Sequence, residues 1–465
     1  MNTMDYRGKT VLVVGAARSG IAAARFLLMS GARVILTDTK KLESLPEVSA
    51  LLRSADYPGE LVLELGGHKE ESFRKCDSVV VSPGVPLSIP EFQISRKLGI
   101  PVLAEVELAS LHLKGKIIGI TGSNGKTTTT QLVSELLTGA GLRAFAAGNI
   151  GKPLVSLAAD SIPEDIVAVE LSSFQLEGIC SFRPYIASIL NLTPDHMDRY
   201  AGFEDYISAK QRIFLNQKKS DFAVLNRDDL RTSAMAAQVP STAFTFSRLA
   251  EVERGAFTRN GMVVYRDEAG ERELFPVHAI CLKGAHNLEN VLAACTMAIL
   301  AGARPETLER SVREFKGVEH RIEWVSEIGG VQYFNDSKAT NVDATIKSLE
   351  AFPGNILLIA GGRDKAGDFS ILRSLVQERV KHLVLIGEAA GKIRKALAGI
   401  VGMSEAESME EAVSICSRLA RPGDVVLLAP ACASFDMFRD YEHRGRAFKD
   451  AVRKIRSGQD TEQQD

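Results

Sequence analysis

The chain has 465 residues, a length that predicts about three domains at roughly 150 residues each. It carries 56 lysine and arginine residues against 58 acidic residues, so its formal net charge of −2 provides no overall basic field for nucleic acid or anionic lipid. Its six cysteines include no CxxC pair, and no apolar run approaches the roughly 18 residues of a membrane helix, which favours a reduced, cytoplasmic protein without membrane insertion.

The first hundred residues alternate between predicted strands and helices. Apolar runs at residues 10–14, 33–37, 61–65 and 78–81 predict strands, and residues 21–28 predict a helix between the first two. This alternation is typical of a parallel sheet with helices on its faces. We therefore predict a Rossmann-like N-terminal domain at residues 1–104.

The loop after the first predicted strand is glycine-rich but departs from the dinucleotide fingerprint. It reads GAARSG over residues 15–20, with Ala17 where the second glycine of GxGxxG belongs, which disfavours a dinucleotide cofactor. Asp38 follows the second strand, at the place where such folds bind a ribose or another nucleotide group. One interpretation is a site for a nucleotide-linked substrate, and the other is a purely structural turn. The candidate contacts are Arg18, Ser19, Asp38, Thr39, Ser82, Pro83 and Gly84.

A second α/β pattern begins at residue 116. Short apolar runs from residue 116 and at residues 167–171 and 187–192 predict buried parallel strands, and residues 288–300 predict a helix. We place this central domain at residues 105–317.

The segment GITGSNGKTT, residues 119–128, lies directly between a predicted buried strand and a helix. Gly125, Lys126 and Thr127 match the GK[ST] end of the P-loop template GxxxxGK[ST], whereas Gly119 lies one residue too early for its first glycine. In such a loop, backbone amides and the helix N-terminus face a phosphate, the lysine adds a positive charge and the threonine hydroxyl reaches Mg²⁺. No NKxD segment for guanine follows, so ATP is the predicted nucleotide. The predicted phosphate contacts are Gly122, Ser123, Asn124, Gly125, Lys126, Thr127 and Thr128.

A third α/β pattern closes the chain. Strands are predicted at residues 331–334, 356–360, 382–386 and 425–429. The predicted fold class is therefore α/β with three domains: a Rossmann-like N-terminal domain, a central P-loop mononucleotide-binding domain and a C-terminal Rossmann-like domain at residues 318–465.

Seven segments, together with the P-loop and in this order along the chain, resemble the Mur ligase family. The segments ELSSFQLE and NDSKATN favour the D-glutamate-adding branch over ligases that add L-alanine, a diamino acid or D-Ala-D-Ala. The seven segments are GNIG at 148–151, ELSSFQL at 170–176, NLTPDHMDRY at 191–200, GAHN at 284–287, EHR at 319–321, NDSKATN at 335–341 and ACASFD at 431–436.

The resemblance implies an ATP-dependent ligase of peptidoglycan precursor synthesis. Its substrates would be UDP-N-acetylmuramoyl-L-alanine and D-glutamate, joined through an acyl phosphate with release of ADP and phosphate. The first domain would bind the UDP-linked substrate. We expect no nucleic-acid partner and a monomeric protein.

Two magnesium sites follow from the same resemblance. Glu170, at the end of a buried strand, would hold the first ion with Thr127, and His196 would hold the second. On chemistry alone a lone histidine favours a structural role, because Mg²⁺ prefers oxygen ligands. Lys210, which otherwise reads as a surface lysine of a helix, would carry a carbamate that serves as a further metal ligand. Asn149 would contact the acyl group, so the implied catalytic residues are Lys126, Asn149, His196 and Lys210.

The resemblance also assigns the remaining contacts. For ATP it implies that Asn287 and Asn290 lie near the adenine, and that Arg321 and Asp336 reach the ribose and phosphates. For D-glutamate it selects Lys338, Thr340, Lys365, Ser434 and Phe435. Tyr441 stands where some relatives have phenylalanine. Without the family match, the basic residues of the D-glutamate set, Lys338 and Lys365, could equally well be solvated surface residues.

Three other functions remain open at this point. Another Mur-type or folate-type ligase would differ in the amino acid that it adds. A P-loop regulatory ATPase would hydrolyse ATP without any amino acid. A Rossmann oxidoreductase is disfavoured by Ala17.

Overall fold

The computed structural model describes residues 5–53, 56–149, 151–195, 197, 199–364 and 367–462. The chain folds into two compact units, one formed by residues 1–279 with 289–312 and the other by residues 280–288 with 313–465. Among the described helices, none has both the length and the apolar character needed to cross a membrane.

The first sheet is a parallel sheet of five strands in the order β3-β2-β1-β4-β5. Its strands are β1 (Thr10–Val14), β2 (Arg33–Asp38), β3 (Glu60–Leu65), β4 (Ser78–Val81) and β5 (Val102–Ala104). The helices are α1 (Arg18–Met29), α2 (Pro46–Arg53), α3 (Glu70–Lys75), α4 (Pro90–Lys97) and α5 (Glu105–Ser110).

Both faces of this sheet are buried, which explains its continuous apolar runs. Val11 and Val13 face one core, whereas Leu12 and Val14 face the other, because successive side chains of a strand point to opposite faces. The carboxyl ends of β1, β2 and β4 share one edge of the sheet, so the loops that follow these strands lie together.

The second sheet is also parallel and has the order β11-β10-β9-β6-β8-β7. Its strands are β6 (Lys116–Thr121), β7 (Ala144–Gly148), β8 (Ile166–Glu170), β9 (Ile186–Ile189), β10 (Phe222–Asn226) and β11 (Thr242–Phe246). Its helices are α6 (Lys126–Gly139), α7 (Ser173–Glu177), α8 (Phe203–Gln211) and α9 (Leu230–Met235).

A small antiparallel sheet follows. It consists of β12 (Gly255–Arg259), β13 (Met262–Asp267) and β14 (Gly270–Pro276). The first two strands are joined by Asn260 and Gly261, both at positive φ, which is the pattern of a type I′ hairpin turn. Helices α10 (Ala285–Ala301) and α11 (Leu308–Glu314) come next.

The third large sheet has the order β15-β16-β20-β17-β18-β19, in which β15 is antiparallel to β16 and the other pairs are parallel. Its strands are β15 (Glu323–Ile328), β16 (Val331–Asn335), β17 (Ile356–Gly361), β18 (Val380–Ile386), β19 (Gly402–Glu405) and β20 (Val425–Leu428). Its helices are α12 (Val342–Glu350), α13 (Arg373–Arg379), α14 (Ala390–Ala396), α15 (Met409–Leu419) and α16 (Tyr441–Glu462).

The predicted α/β class and the three parallel-type sheets are confirmed. One strand was predicted too long: β9 ends at Ile189 rather than at residue 192. The reason is that residues 191 and 193 leave the sheet and bond to the P-loop. The small antiparallel sheet was not predicted.

Candidate active site

The P-loop connects β6 to α6, and its glycines are required by its geometry. Gly125 has φ of 82°, and a Cβ at this position would lie 2.2 Å from Oδ1 of Asn290. Gly122 has φ of 150°. A larger residue at Gly125 would combine a strained backbone with a steric clash, so the loop can close tightly around the N-terminus of α6.

A neighbouring loop after β9 holds the P-loop in place. The backbone N–H of Ser123 donates to the Asn191 carbonyl at 3.0 Å, and the Ser123 hydroxyl donates to the Thr193 carbonyl at 2.8 Å. The backbone N–H of Asn124 donates to Oδ1 of Asn191 at 2.8 Å. These bonds fix the loop conformation before any ligand is bound, which lowers the entropic cost of binding.

Lys126 folds back over the loop from the first turn of α6. Its Nζ donates to the carbonyl oxygens of Gly122 and Ser123 at 2.9 and 2.7 Å. The ammonium thus lies beside the helix N-terminus, whose partial positive charge acts in the same direction. This arrangement suits a bound phosphate chain.

Glu170 ends β8 and joins two other predicted site residues. Its Oε2 accepts a hydrogen bond from the Thr127 hydroxyl at 2.7 Å, and its Oε1 accepts one from Nδ2 of Asn149 at 2.9 Å. Glu170 and Thr127 are both buried. The structure therefore brings Thr127, Asn149 and Glu170 together beside the P-loop.

Lys210, on α8, is buried with a relative exposure of 1 % and is not the surface lysine that its helix alone would suggest. Its Nζ donates to the Gly122 carbonyl at 2.9 Å and to the Thr121 hydroxyl at 3.3 Å. Burial, followed by the nearby charge of Lys126, lowers the pKa of Lys210 well below its ordinary value. The neutral amine is thus favoured at this position.

Tyr206 belongs to the same cluster and was not identified from the sequence. Its ring lies 4.6 Å from Nζ of Lys210, and its hydroxyl is 3.1 Å from the Ser123 hydroxyl. Tyr206 precedes Lys210 by one helical turn, and this spacing was the available signal. His196, the other predicted catalytic residue of this region, lies outside the described residues.

The candidate residues of the first domain gather at the carboxyl edge of its sheet. Oδ2 of Asp38 accepts the N–H of Ala16 at 2.7 Å, and the Ser82 hydroxyl donates to the Gly15 carbonyl at 3.0 Å. Ser82 is buried, whereas Thr39 and Gly84 are exposed beside it. Of the other candidates, Arg18 is exposed, and Ser19 and Pro83 are half-buried. The loop is therefore both held by side chains and open to a ligand.

In the second unit, Asp336 follows β16 and is buried. The Ser348 hydroxyl donates to its carboxylate, and burial raises the pKa of Asp336 to about 6, against the lowering effects of Ser348 and Arg321. Asn287 lies in the first turn of α10, and its Nδ2 donates to the Lys283 carbonyl at 2.6 Å. Asn290 belongs to the first unit, where it lies beside Gly125.

Four of the five residues predicted to bind D-glutamate lie in the loops after β16 and β20. Nζ of Lys338 lies 3.7 Å from the centre of the Tyr441 ring, and the N–H of Thr340 donates to the Lys338 carbonyl at 2.8 Å. Ser434 is buried, whereas Phe435 is 62 % exposed. Lys365, the fifth residue of this set, lies outside the described residues.

Arg444, in α16, connects these two loops and was missed by the sequence reasoning. Its guanidinium donates to the hydroxyl and carbonyl oxygens of Ser337 at 3.0 and 2.8 Å, and to the carbonyls of Cys432 and Ala433 at 3.1 and 3.3 Å. Its relative exposure is 0 %. No local pattern distinguishes this arginine from the other basic residues of α16, since its role arises from contacts with residues distant in sequence.

Family models match three consecutive parts of the chain. A model for the Mur ligase MurD-like N-terminal domain matches residues 9–104, one for the Mur ligase middle domain matches residues 120–298, and one for the Mur ligase glutamate ligase domain matches residues 320–432.

Curated relatives match over nearly the full length. The UDP-N-acetylmuramoylalanine–D-glutamate ligase of Koribacter versatilis is 49 % identical over 452 residues, covering 97 % of this chain and 99 % of the relative. The protein of the same name from Geotalea daltonii is 48 % identical over 455 residues, covering 98 % of this chain and 99 % of the relative.

Solved structures share the fold at lower identity. The UDP-N-acetylmuramate-alanine ligase MurC of Thermotoga maritima gives a TM-score of 0.60 at 18 % identity, covering 97 % of this chain and 100 % of that structure. The MurF ligase of Thermotoga maritima, solved in complex with ADP, gives a TM-score of 0.61 at 17 % identity, covering 94 % of this chain and 99 % of that structure.

Proposed function

The chain belongs to the Mur ligase family, and on this premise we propose that it joins D-glutamate to UDP-N-acetylmuramoyl-L-alanine at the expense of ATP, in peptidoglycan precursor synthesis. The observation that carries the proposal is the near full-length identity with ligases of that name. We assign the UDP-linked substrate to residues 1–104, ATP to residues 105–317, and D-glutamate and closure over ATP to residues 318–465.

The reaction has two steps. An oxygen of the alanine carboxylate attacks the γ-phosphorus of ATP, the bond from that phosphorus to the β–γ bridging oxygen breaks, and ADP leaves. The nitrogen of D-glutamate, having lost one ammonium proton to solvent, then attacks the acyl carbon. Phosphate departs with one former carboxylate oxygen, a second proton leaves the nitrogen, and the third remains as the amide N–H. Both steps bring anions together, so positive charge is needed at the phosphates.

Lys126 supplies that charge in our proposal. Its ammonium already lies at the P-loop carbonyls, within reach of a phosphate bound at the N-terminus of α6. The other P-loop residues from Gly122 to Thr128 position the phosphates through the backbone amides and hydroxyls of that turn. Asn290, which lies beside Gly125, is proposed to contact the adenine with Asn287.

The residues beside the P-loop fit a magnesium ion. Thr127 and Glu170 offer two buried side-chain oxygens that are 2.7 Å apart, and Mg²⁺ prefers oxygen ligands. When bound, the ion would neutralise charge on the phosphate oxygens. A second ion held by His196 and Lys210 is proposed from the family resemblance. Asn149, held by Glu170, would orient the acyl group.

Lys210 fits the proposed carbamate. Its amine is buried beside Gly122, and the adjacent charge of Lys126 opposes protonation. Attack of the neutral amine on carbon dioxide forms an N–C bond and releases one proton, which leaves an anionic oxygen ligand in place of a cation. A basic site is thereby converted into a ligand for Mg²⁺.

The second unit is proposed to bind D-glutamate and part of ATP. Lys338, Thr340, Lys365, Ser434 and Phe435 would contact the amino acid, and Arg321 and Asp336 would contact the ribose and phosphates. The hydrogen bonds of Arg444 to the carbonyls of both loops support a positioning role for this arginine. At the other substrate, Arg18, Ser19, Asp38, Thr39, Ser82, Pro83 and Gly84 are proposed to contact the UDP moiety.

The test is an assay of phosphate release from ATP with UDP-N-acetylmuramoyl-L-alanine as the acceptor. We expect D-glutamate to stimulate release, and L-glutamate and meso-diaminopimelate to have little effect. Equal stimulation by meso-diaminopimelate would assign the chain to another ligase branch. Steady release without any amino acid would favour a regulatory ATPase.

A further inference from the structure

A cavity of about 760 Å³ lies along the side of α1 that faces the 3₁₀ helix Leu154–Leu157, within the first compact unit. This volume lies within the range of about 300–1,000 Å³ that is usual for small-molecule sites. No part of the proposed reaction uses the flank of α1 beyond Arg18. The cavity therefore requires a separate explanation.

The wall of the cavity is mainly apolar. Phe26 and Met29 line it from α1, and Pro153, Val155 and Ala159 line it from the opposite side. Met29 is 59 % exposed, although it belongs to a helix whose other large apolar residues are mostly covered. Exposed apolar surface in a concave site favours the binding of an apolar body, because burial removes that surface from water.

The rim of the cavity is basic. Arg18, Arg25 and Lys114 line it and are exposed, and none of the lining residues is acidic. Within the described part of the chain, none of these three side chains forms an ion pair with a carboxylate. Three cations around one opening attract an anion, and an anion held there would meet no repelling charge from the lining residues.

His112 adds a polar group to the same wall. Its ring centre lies 5.0 Å from that of Phe26, and its Nε2 is buried without a hydrogen-bond partner among the described atoms. A buried polar atom without a partner carries a desolvation cost that a ligand atom can relieve. Burial also lowers the pKa of His112, which favours its neutral form.

From the apolar wall and the basic rim, we propose that this cavity is a binding site for a small amphipathic anion, distinct from the site for the UDP-linked substrate. The apolar body of the ligand lies between α1 and residues 153–159, and its anionic group lies at Arg25 and Lys114. This proposal does not depend on the ligase activity, because Arg25 and Lys114, which hold the anionic group, are residues that the reaction does not use; only Arg18 borders both sites.

The probe for the test is 8-anilinonaphthalene-1-sulfonate, which carries an aromatic body and one sulfonate and fluoresces in apolar sites. Its uncharged counterpart, N-phenyl-1-naphthylamine, measures the apolar contribution alone. The Arg25→Glu/Lys114→Glu variant should weaken binding of the sulfonate about tenfold or more, as expected for two partly exposed charge contacts. Binding of the uncharged probe should change little.

Two further variants separate the cavity from general effects on the surface. Ala159→Trp should fill the cavity and abolish binding of both probes, whereas Ala398→Trp, at an exposed position outside it, should not. The matched charge control is Lys395→Glu/Arg418→Glu, which changes two exposed basic residues outside the cavity. Circular dichroism and ligase activity should be unchanged in all four variants.

Three results would overturn the proposal. The first is unaltered sulfonate binding in both cavity variants, and the second is an equal loss in the control variants. The third is competitive displacement of the probe by UDP-N-acetylmuramoyl-L-alanine, which would make the cavity part of the substrate site.

Discussion

At the residue scale, Lys210 is a basic side chain in a place that excludes water. Its amine bonds to the backbone of the P-loop and lies against the Tyr206 ring. Burial of an ammonium is costly, and this cost lowers the pKa of Lys210 against the raising effects of Asp195 and Glu170, so a lysine there is expected to lose its proton or to be modified. A single modification, the carbamate, would explain both why a lysine is buried at this position and how it could serve as a metal ligand.

We predict that Lys210→Arg and Lys210→Ala both lose ligase activity, by about 100-fold or more if a metal ligand is lost. Arginine keeps the positive charge but cannot form a carbamate. Added formate or acetate should restore part of the rate of the alanine variant by supplying an oxygen ligand. The measurement is phosphate release, with Lys395→Arg as a control. Full activity of Lys210→Arg would exclude the carbamate.

Asp38 is predicted to read the UDP-linked substrate. Both of its carboxylate oxygens accept backbone N–H groups, from Ala16 at 2.7 Å and from Lys40 at 2.9 Å, so the side chain also shapes the loop that would face the ligand. Asp38→Ala should raise KM for UDP-N-acetylmuramoyl-L-alanine by about tenfold or more, as expected for a lost charged hydrogen bond, and should change KM for ATP and D-glutamate little.

The matched control for Asp38 is Asp77, which accepts the N–H of Thr10 at 2.8 Å at the amino end of the same sheet. Asp77→Ala removes a comparable backbone contact far from the proposed site and should leave all three KM values unchanged. Equal increases for all three substrates in Asp38→Ala would instead indicate a structural role.

At the element scale, Arg444 joins α16 to the loops that follow β16 and β20. Lysine keeps the charge but loses the planar set of donors that reaches several carbonyls at once. Arg444→Lys should therefore raise KM for D-glutamate by about tenfold and leave KM for the UDP-linked substrate unchanged. The control is Arg446→Lys, two positions on, whose side chain is partly exposed. Equal changes for all substrates would contradict the positioning role.

Glu105 joins α5 to the 3₁₀ helix Leu154–Leu157, since its Oε1 accepts the N–H of Val155 at 2.8 Å. Its Oε2 is buried without a partner among the described atoms, and burial raises the pKa of Glu105 to about 7 from its usual 4.5. Between pH 4.5 and about 7, the folded state therefore keeps a proton on Glu105 that the unfolded chain has already lost. The contribution of this group to stability is fully present below pH 4.5 and is lost as pH rises through 7.

Glu105→Gln removes this titration. Relative to the variant, the wild-type protein should lose on the order of 3 kcal/mol of unfolding free energy between pH 4.5 and 7.5. Urea denaturation at four pH values in this range measures the difference between the two proteins. A difference that does not change with pH would show that Glu105 stays ionised in the folded state.

At the scale of the whole molecule, the sequence patterns predicted those features that depend on residues close together in the sequence. The apolar runs of β1, β4 and β17 were found because both faces of their sheets are buried. The P-loop was found because phosphate binding requires a fixed spacing of Gly125, Lys126 and Thr127. The resemblance to the family selected the remaining candidate residues, whose roles stay predictions.

Other features could not be read in this way. Arg444 has its role through contacts with Ser337, which is distant in sequence. The one-turn spacing of Tyr206 and Lys210 was a local signal, but the contact of Tyr206 with Ser123 of the P-loop was not. The burial of Lys210 depends on where α8 packs, which no pattern within the helix specifies. The hairpin at Asn260 and Gly261 is a different case, because its Asn-Gly signal is local and was overlooked.

The central claim is that ATP activates the substrate carboxylate before D-glutamate is joined to it. The most direct test is to label both oxygens of the alanine carboxylate of UDP-N-acetylmuramoyl-L-alanine with ¹⁸O and to analyse the released phosphate by mass spectrometry during ligation. The account predicts one ¹⁸O atom in each phosphate and one in the new amide carbonyl. Ligation that released unlabelled phosphate would contradict it.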